Sequence, residues 1–276
     1  MRNVPVQVVA IDWSGASRGA PRKIWRADAR DARLTRLADG QGREQLVEEL
    51  IADALAQPSM VVGLDFSFSM PAWFLRELGV HSAPQLWALV RQHGEAWLRA
   101  CEPPFWGRPG RPRPALSAAQ PGLRETERTC PPVRDIAPKS TFQIGGAGAV
   151  GTGSVRGMAA LDELRRAGFA IWPFDPPRLP LVVEIYPRLF TGPVAKSRPS
   201  ARLAYLQGAW GAAMGELATV AASGEDAFDA AVSALAMAAA VDELVALPPI
   251  DDARSRLEGV IWRPRLTPRY GPDGSA

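Results

Sequence analysis

Hydrophobic positions along this chain fall into two patterns, short unbroken runs and helix-spaced stripes. The run QVVAID, Gln7 to Asp12, reads as a strand buried on both faces. A turn-forming stretch, WSGASRGAP, follows it, and RKIWRAD and ARLTRLAD read as two short strands. The first forty residues therefore predict a three-stranded antiparallel meander. In GREQLVEELIADALAQ, Leu46, Val47, Leu50, Ile51 and Leu55 recur at helical spacing. SMVVGLDFS is again a buried run of strand length. A helix between two such strands implies a crossover and parallel pairing.

The pattern changes from Pro71 to about Lys139, which reads as an insertion. It opens with helical stripes in PAWFLRELG and APQLWALVRQHGEAWLRACE. It then becomes too rich in proline and glycine for regular structure. STFQIGGAGAVGTGSVRG reads as a glycine-rich connection and MAALDELRRAG as a short helix ended by Gly168. FAIWPFD and LPLVVEIYP read as strands, and SARLAYLQGAWGAAMGEL as a helix. SGEDAFDAAVSALAMAAAVDELVAL predicts one last long helix, with Ser223 as N-cap of a Ser223-x-x-Asp226 capping box and Pro248 and Pro249 as its stop. EGVIWRP adds a terminal strand, and residues 267–276 read as a disordered tail. The order predicts one α/β domain over residues 1–276 with a mixed sheet flanked by helices.

Composition narrows the class. Hydrophobic residues make up 47% of 276, a globular value. No apolar run reaches the roughly 18–20 residues of a membrane span; the nearest, Ala227 to Ala240, is entered by acids. MRNVPVQ leads straight into the first strand, which predicts no signal peptide. Two cysteines, Cys101 and Cys130, and two histidines, His81 and His93, lack zinc-site spacing. A disulfide between the cysteines stays open, and a reduced cytoplasmic setting is the simplest expectation. The net charge of +3 and pI near 9.2 favour nucleic acid weakly, because the heavy use of Ala, Arg, Pro and Gly also fits a coding bias.

The candidate chemistry lies where apolar runs meet acids. VVAIDWSG and VVGLDFS both carry an aspartate at the end of the run, Asp12 and Asp65, and LVVEIYP carries Glu184. An unpaired carboxylate in such a place costs several kcal/mol or takes up a proton. Parallel neighbours bring their C-terminal ends to one sheet edge, so Asp12 and Asp65 should emerge side by side. A divalent cation would neutralise both, and oxygen ligands without sulfur favour Mg²⁺ or Mn²⁺. Asp226 and Asp229, three apart near the start of the last helix, share a face. Asp226 doubles as a cap, so Asp229 is the stronger ligand candidate.

Other motifs point to phosphate. Gly146, Gly148 and Gly151 match G-x-G-x-x-G, but the loop lies mid-chain rather than after the first strand, against a dinucleotide fingerprint. A backbone nest for a substrate phosphate suits Gly146 and Gly148 better, and a flexible connection is the alternative. Lys139 and Arg188 are candidate phosphate contacts. Arg108, Arg111, Arg113, Arg124, Arg128 and Arg134, with Phe105 and Trp106 before them, suit a single strand or junction, and equally a biased disordered loop.

Together, VVAIDWSGA, VVGLDFSFSMP, FQIGGAGAVGTGS, VVEIYPRL and DAFDAAVSALAMA resemble the domain of unknown function family 429, over nearly the whole chain. The resemblance implies a ribonuclease H-like fold and nuclease-like activity. The arrangement is also similar to Holliday-junction resolvases of that superfamily, whose acidic positions match Asp12, Asp65, Asp226 and Asp229. The chain departs from them in having Asp65 where they usually have Glu, and in its large insertion. The resemblance implies a two-metal site, with Asp12 bridging the ions, Asp65 and Asp229 each holding one, and Glu184 as a further ligand or water-orienting group. Two rivals remain at this point: a nucleotide-hydrolysing or phosphotransfer enzyme of the related actin-like fold, and a non-catalytic nucleic-acid-binding module.

Overall fold

Six strands make the centre of the protein, whose computed structural model describes residues 6–265. They are β1 (Gln7–Asp12), β2 (Trp25–Arg30), β3 (Arg33–Ala38), β4 (Met60–Leu64), β5 (Ala170–Ile171) and β6 (Leu181–Glu184). The sheet order is β3-β2-β1-β4-β6-β5. The meander β1-β2-β3 is antiparallel, and β4, β6 and β5 extend it in parallel. The expected α/β fold with a mixed sheet is therefore present. Its apolar runs are explained by position: β4 is buried at every residue because helices cover both faces.

On one face lie α1 (Arg43–Ala56), α2 (Ala72–Glu77), α3 (Ala83–Ala100), α4 (Glu125–Thr129) and α5 (Gly151–Arg166). Val9, Ile11, Val62 and Leu64 pack there with Leu46, Leu50, Trp87, Met158 and Leu161. The other face carries α6 (Arg188–Thr191), α7 (Pro199–Met214), α8 (Ala218–Ser223) and α9 (Glu225–Ala239). Val8, Ala10, Val61 and Val183 pack there with Phe228, Val232 and Leu235 of α9. Each large side chain among these contributes about 1.5–3 kcal/mol by leaving water. The alanines of α9 let it lie close to the sheet, and Gly63 completes the fit: a Cβ there would stand 2.5 Å from Met237 Sδ. Two short helices, α10 (Val241–Val245) and α11 (Ser255–Glu258), close the described chain.

Several boundaries differ from the sequence reading. α5 starts at Gly151, inside the stretch expected to be a connection. Glycine disfavours helix, but a Cβ at Gly15 or at Gly151 would collide with neighbouring backbone, so packing dictates the residue. The last long helix is broken in two at Ala240. Ser223 ends α8 and donates to the Val220 carbonyl; Gly224 is the N-cap of α9, so the expected capping box does not form. EGVIWRP makes only a bridge, beside which Trp262 N–H donates to the Glu184 carbonyl at 2.8 Å. The insertion past α3 is mostly irregular, but the stretch expected to lack regular structure holds α4, and Phe105, Trp106, Arg124 and Glu127 are buried. Both cysteines are buried free thiols. Among the described residues no helix is long and apolar enough to cross a membrane. The predicted tail at 267–276 lies outside the described residues.

Candidate functional site

The register of β1 on β4 places the first two acids. Ile11 pairs with Leu64, and Asp65 N–H donates to the Ile11 carbonyl at 3.1 Å. Asp12 and Asp65 therefore leave the sheet side by side. Side chains alternate along a strand, and Ile11 and Leu64 belong to the α1–α5 face. Asp12 and Asp65 thus share the opposite face, the one covered by α9. The first turns of α9, drawn close by its alanines, bring Asp229 and Asp226 to the same place.

These carboxylates raise one another. Burial holds Asp12 well above the usual carboxylate range, with Asp65, Asp229 and Asp226 adding to it. Asp65 is pushed up to about 8 by burial and then by Asp229. Burial raises Asp229 as well, against the opposing charge of Lys196. Asp226 is raised by burial and by Glu225. The Lys196 ammonium donates to Asp229 Oδ2. Asp229 Oδ1 is buried without a partner, a state that costs about 1–3 kcal/mol.

The donor set tests what this cluster could hold. Hard carboxylate oxygens without nitrogen or sulfur suit Mg²⁺ or Mn²⁺, and Asp229 Oδ1 offers an unfilled acceptor. Asp12, Asp65 and Asp229 would hold the ion, with Asp226 beside them. Among the described residues, no three His, Cys, Asp or Glu side chains are preassembled as a metal cage. Lys196, on one oxygen of Asp229, provides a positive charge of the protein's own.

Glu184 differs from its sequence reading as a ligand. It pairs with Leu64, not with Asp65, so it points to the α1–α5 face. There Arg124 donates Nη2 to Oε1 at 2.5 Å and Nη1 to Oε2 at 2.9 Å, and Phe68 N–H donates to Oε2 at 2.9 Å. Arg124 also pairs with Glu127, and all three side chains are buried. The two carboxylates hold the guanidinium above its ordinary range despite burial. Glu184 remains near enough to raise Asp65, but its oxygens are already satisfied.

A cleft of about 580 Å³ opens over the strand ends. Its lining includes the acids Asp12, Asp65, Glu184 and Asp226 together with Lys23, Lys139, Gly148, Thr152 and Gly153. Asp229 is buried, 8% exposed, behind that lining. The turn after Asp12 is clamped from outside: Arg43 donates to the Ser14 and Ala16 carbonyls and Arg156 to that of Gly15. Tyr186, also in the lining, is pushed up to about 12 by burial and by Asp65.

The remaining candidates disperse. Gly146 and Gly148 adopt positive φ of 79° and 70° in a turn before α5, and Gly148 reaches the cleft. Arg108, Arg111 and Arg113 lie on an exposed loop outside the lining. That loop follows Gly107, whose backbone packs on Gly145, so it borders the glycine turn. Arg113 covers Trp106 at 5.4 Å. Arg188 Nη1 donates to the Gly192 and Val194 carbonyls, which ties down its own loop, while its charge still reaches Asp229 and Tyr186.

Sequence reasoning missed Lys196 and Lys23, and it read Arg124 as one of the phosphate-contacting loop arginines, whereas Arg124 is buried and paired with Glu127 and Glu184. A signal for the first two existed. Only Lys23, Lys139 and Lys196 of the 32 basic residues are lysine, and all three stand at this site. Coding bias supplies arginine, so a lysine here needs another reason. In comparisons with known proteins, no family model, no curated protein and no solved structure matches the chain.

Proposed function

We propose that this protein is a divalent-metal-dependent phosphodiester hydrolase acting on nucleic acid, with a ribonuclease H-like fold and kinship to family 429. The reading is carried by one observation: Asp12, Asp65 and Asp229, from three separate elements, converge with raised proton affinities, and Lys196 alone forms an ion pair with them among the described residues. Strongly perturbed acids beside a cleft concentrate at working sites. The strand order β3-β2-β1-β4-β6 is compatible with the proposed fold. Mg²⁺ or Mn²⁺ bound there would acidify a water and draw charge from the phosphate. Asp12 and Asp65 would hold it from the sheet and Asp229 from α9. Lys23, Lys139 and the N-terminus of α5 would bind strand phosphates, and Arg108, Arg111 and Arg113 would follow the strand outward. Glu184, paired with Arg124, would hold the wall in place.

The test is cleavage of single-stranded, duplex and junction DNA and RNA, with Mg²⁺, Mn²⁺ or EDTA. Asp12→Asn should lose about 10³-fold, or roughly 4 kcal/mol of transition-state stabilisation. Equal cleavage by the variant rejects the reading, and turnover of nucleoside triphosphates without strand cleavage turns it toward phosphotransfer. A second reading, a non-catalytic nucleic-acid-binding module, is favoured by the lysine already on Asp229 and the arginine already on Glu184. Oligonucleotide binding without turnover under every metal would select it.

A further inference from the structure

Lys196 stands where a cluster of acids needs a cation. Its ammonium donates to Asp229 and its side chain is 13% exposed. Its charge also opposes the raised proton affinity of Asp12, Asp65 and Asp226. The backbone that carries it is fixed. Arg188 donates to the Gly192 and Val194 carbonyls at 3.2 and 3.0 Å. Arg202 donates to the Lys196 carbonyl, and is itself buried with two bonds to the Ala222 carbonyl at 3.0 and 2.8 Å. Any movement is thereby confined to the lysine side chain, a point charge on a flexible four-carbon stem. An arginine could grip the carboxylate with two bonds and would resist displacement. Yet this chain, which uses arginine almost everywhere else, has lysine here.

We infer that Lys196 is a tethered counter-cation: it neutralises the Asp12–Asp65–Asp229 cluster in the metal-free protein and leaves Asp229 when a divalent cation binds, so that it sets the site's metal affinity. The inference rests on the metal-site reading above. It explains why the acids come together without forming a finished cage.

The scarcity of lysine makes the test clean, because amine labelling of the whole chain has three lysine sites to read. The protein is labelled in EDTA and in Mn²⁺, and each lysine is quantified by mass spectrometry. Lys196, freed from its carboxylate, should label about tenfold faster in Mn²⁺, while Lys23 and Lys139 change less than about twofold. In parallel, calorimetry at pH 8.5 should show Lys196→Met binding Mn²⁺ about tenfold more tightly than wild type, since the competing charge is gone. If Mn²⁺ binds but Lys196 stays protected and Lys196→Met binds no more tightly, the inference is overturned and the metal site stands. If Mn²⁺ binds neither protein, the metal-site reading falls and the inference falls with it. The labelling arm uses wild type alone, so it decides even if the variant folds poorly.

Discussion

Two groups of acids, one buried and one half-buried, sit at the same edge of one sheet and are treated in opposite ways. Glu184 and Glu127 share Arg124, and Glu184 takes a backbone N–H besides, so that its oxygens are satisfied. Asp12, Asp65 and Asp229 have one ion pair among them, Lys196 on Asp229, and the other oxygen of Asp229 has no partner. A single residue of register separates the two arrangements, because Glu184 pairs with Leu64 and falls on the other face. Compensated charge holds the insertion against the sheet; uncompensated charge is a standing demand for a cation. The contrast distinguishes a structural acid from a functional one where sequence context alone does not.

The largest expected effect breaks the compensated side. Arg124→Met leaves two buried carboxylates without their partner and should cost about 3–5 kcal/mol, read as a shift in urea unfolding midpoint at constant m-value. Asp12→Asn should do the reverse. By removing a like charge it should leave the metal-free protein as stable as wild type or more so at pH 8, whatever it does to activity. A loss of about 2 kcal/mol or more in Asp12→Asn, the size of an ordinary damaging substitution, would erase the distinction between the two groups.

A smaller effect is a slope. Asp12 and Asp65 have folded-state proton affinities above the ordinary aspartate range, Asp65 at about 8. They bind more protons folded than unfolded, so their contribution is complete below about pH 4 and is lost as pH rises toward about 8. In EDTA, stability should fall by about 2–3 kcal/mol across that window. Each tenfold rise in proton affinity carries about 1.4 kcal/mol, discounted here for solvent at the cleft. Asp12→Asn should flatten the fall. Mg²⁺ should offset it, raising the melting temperature more at pH 8 than at pH 5.5, by about 2.7 kcal/mol at a hundredfold excess over Kd. A flat wild-type profile, or equal Mg²⁺ stabilisation at both pH values, would contradict the account. Smallest of all, Lys139→Ala should weaken oligonucleotide binding evenly across sequences and lower the salt slope by about 1, measured by fluorescence anisotropy against salt. An unchanged slope would remove Lys139 from the phosphate-binding wall.

Much of this was legible in the chain. The unbroken runs at Val8–Ile11 and Val61–Leu64 specified buried parallel neighbours, and their shared ending in aspartate brought the two acids to one sheet edge. The face of Glu184 was not legible, because it depends on how β6 registers against β4, and its partner Arg124 lies sixty residues away in a segment without periodicity. The start of α5 was hidden because Gly151 is dictated by close packing against the Thr141 carbonyl rather than by helix propensity. The break at Ala240 was not legible because the alanine stretch around it carries no local stop signal. Lys196 was legible in principle, through its rarity.

The most direct measurement is anomalous diffraction from crystals soaked in Mn²⁺. The account predicts a peak bounded by Asp12, Asp65 and Asp229, with the Lys196 ammonium withdrawn from Asp229 and Glu184 still on Arg124. A peak elsewhere, or none with Lys196 unmoved, would contradict it.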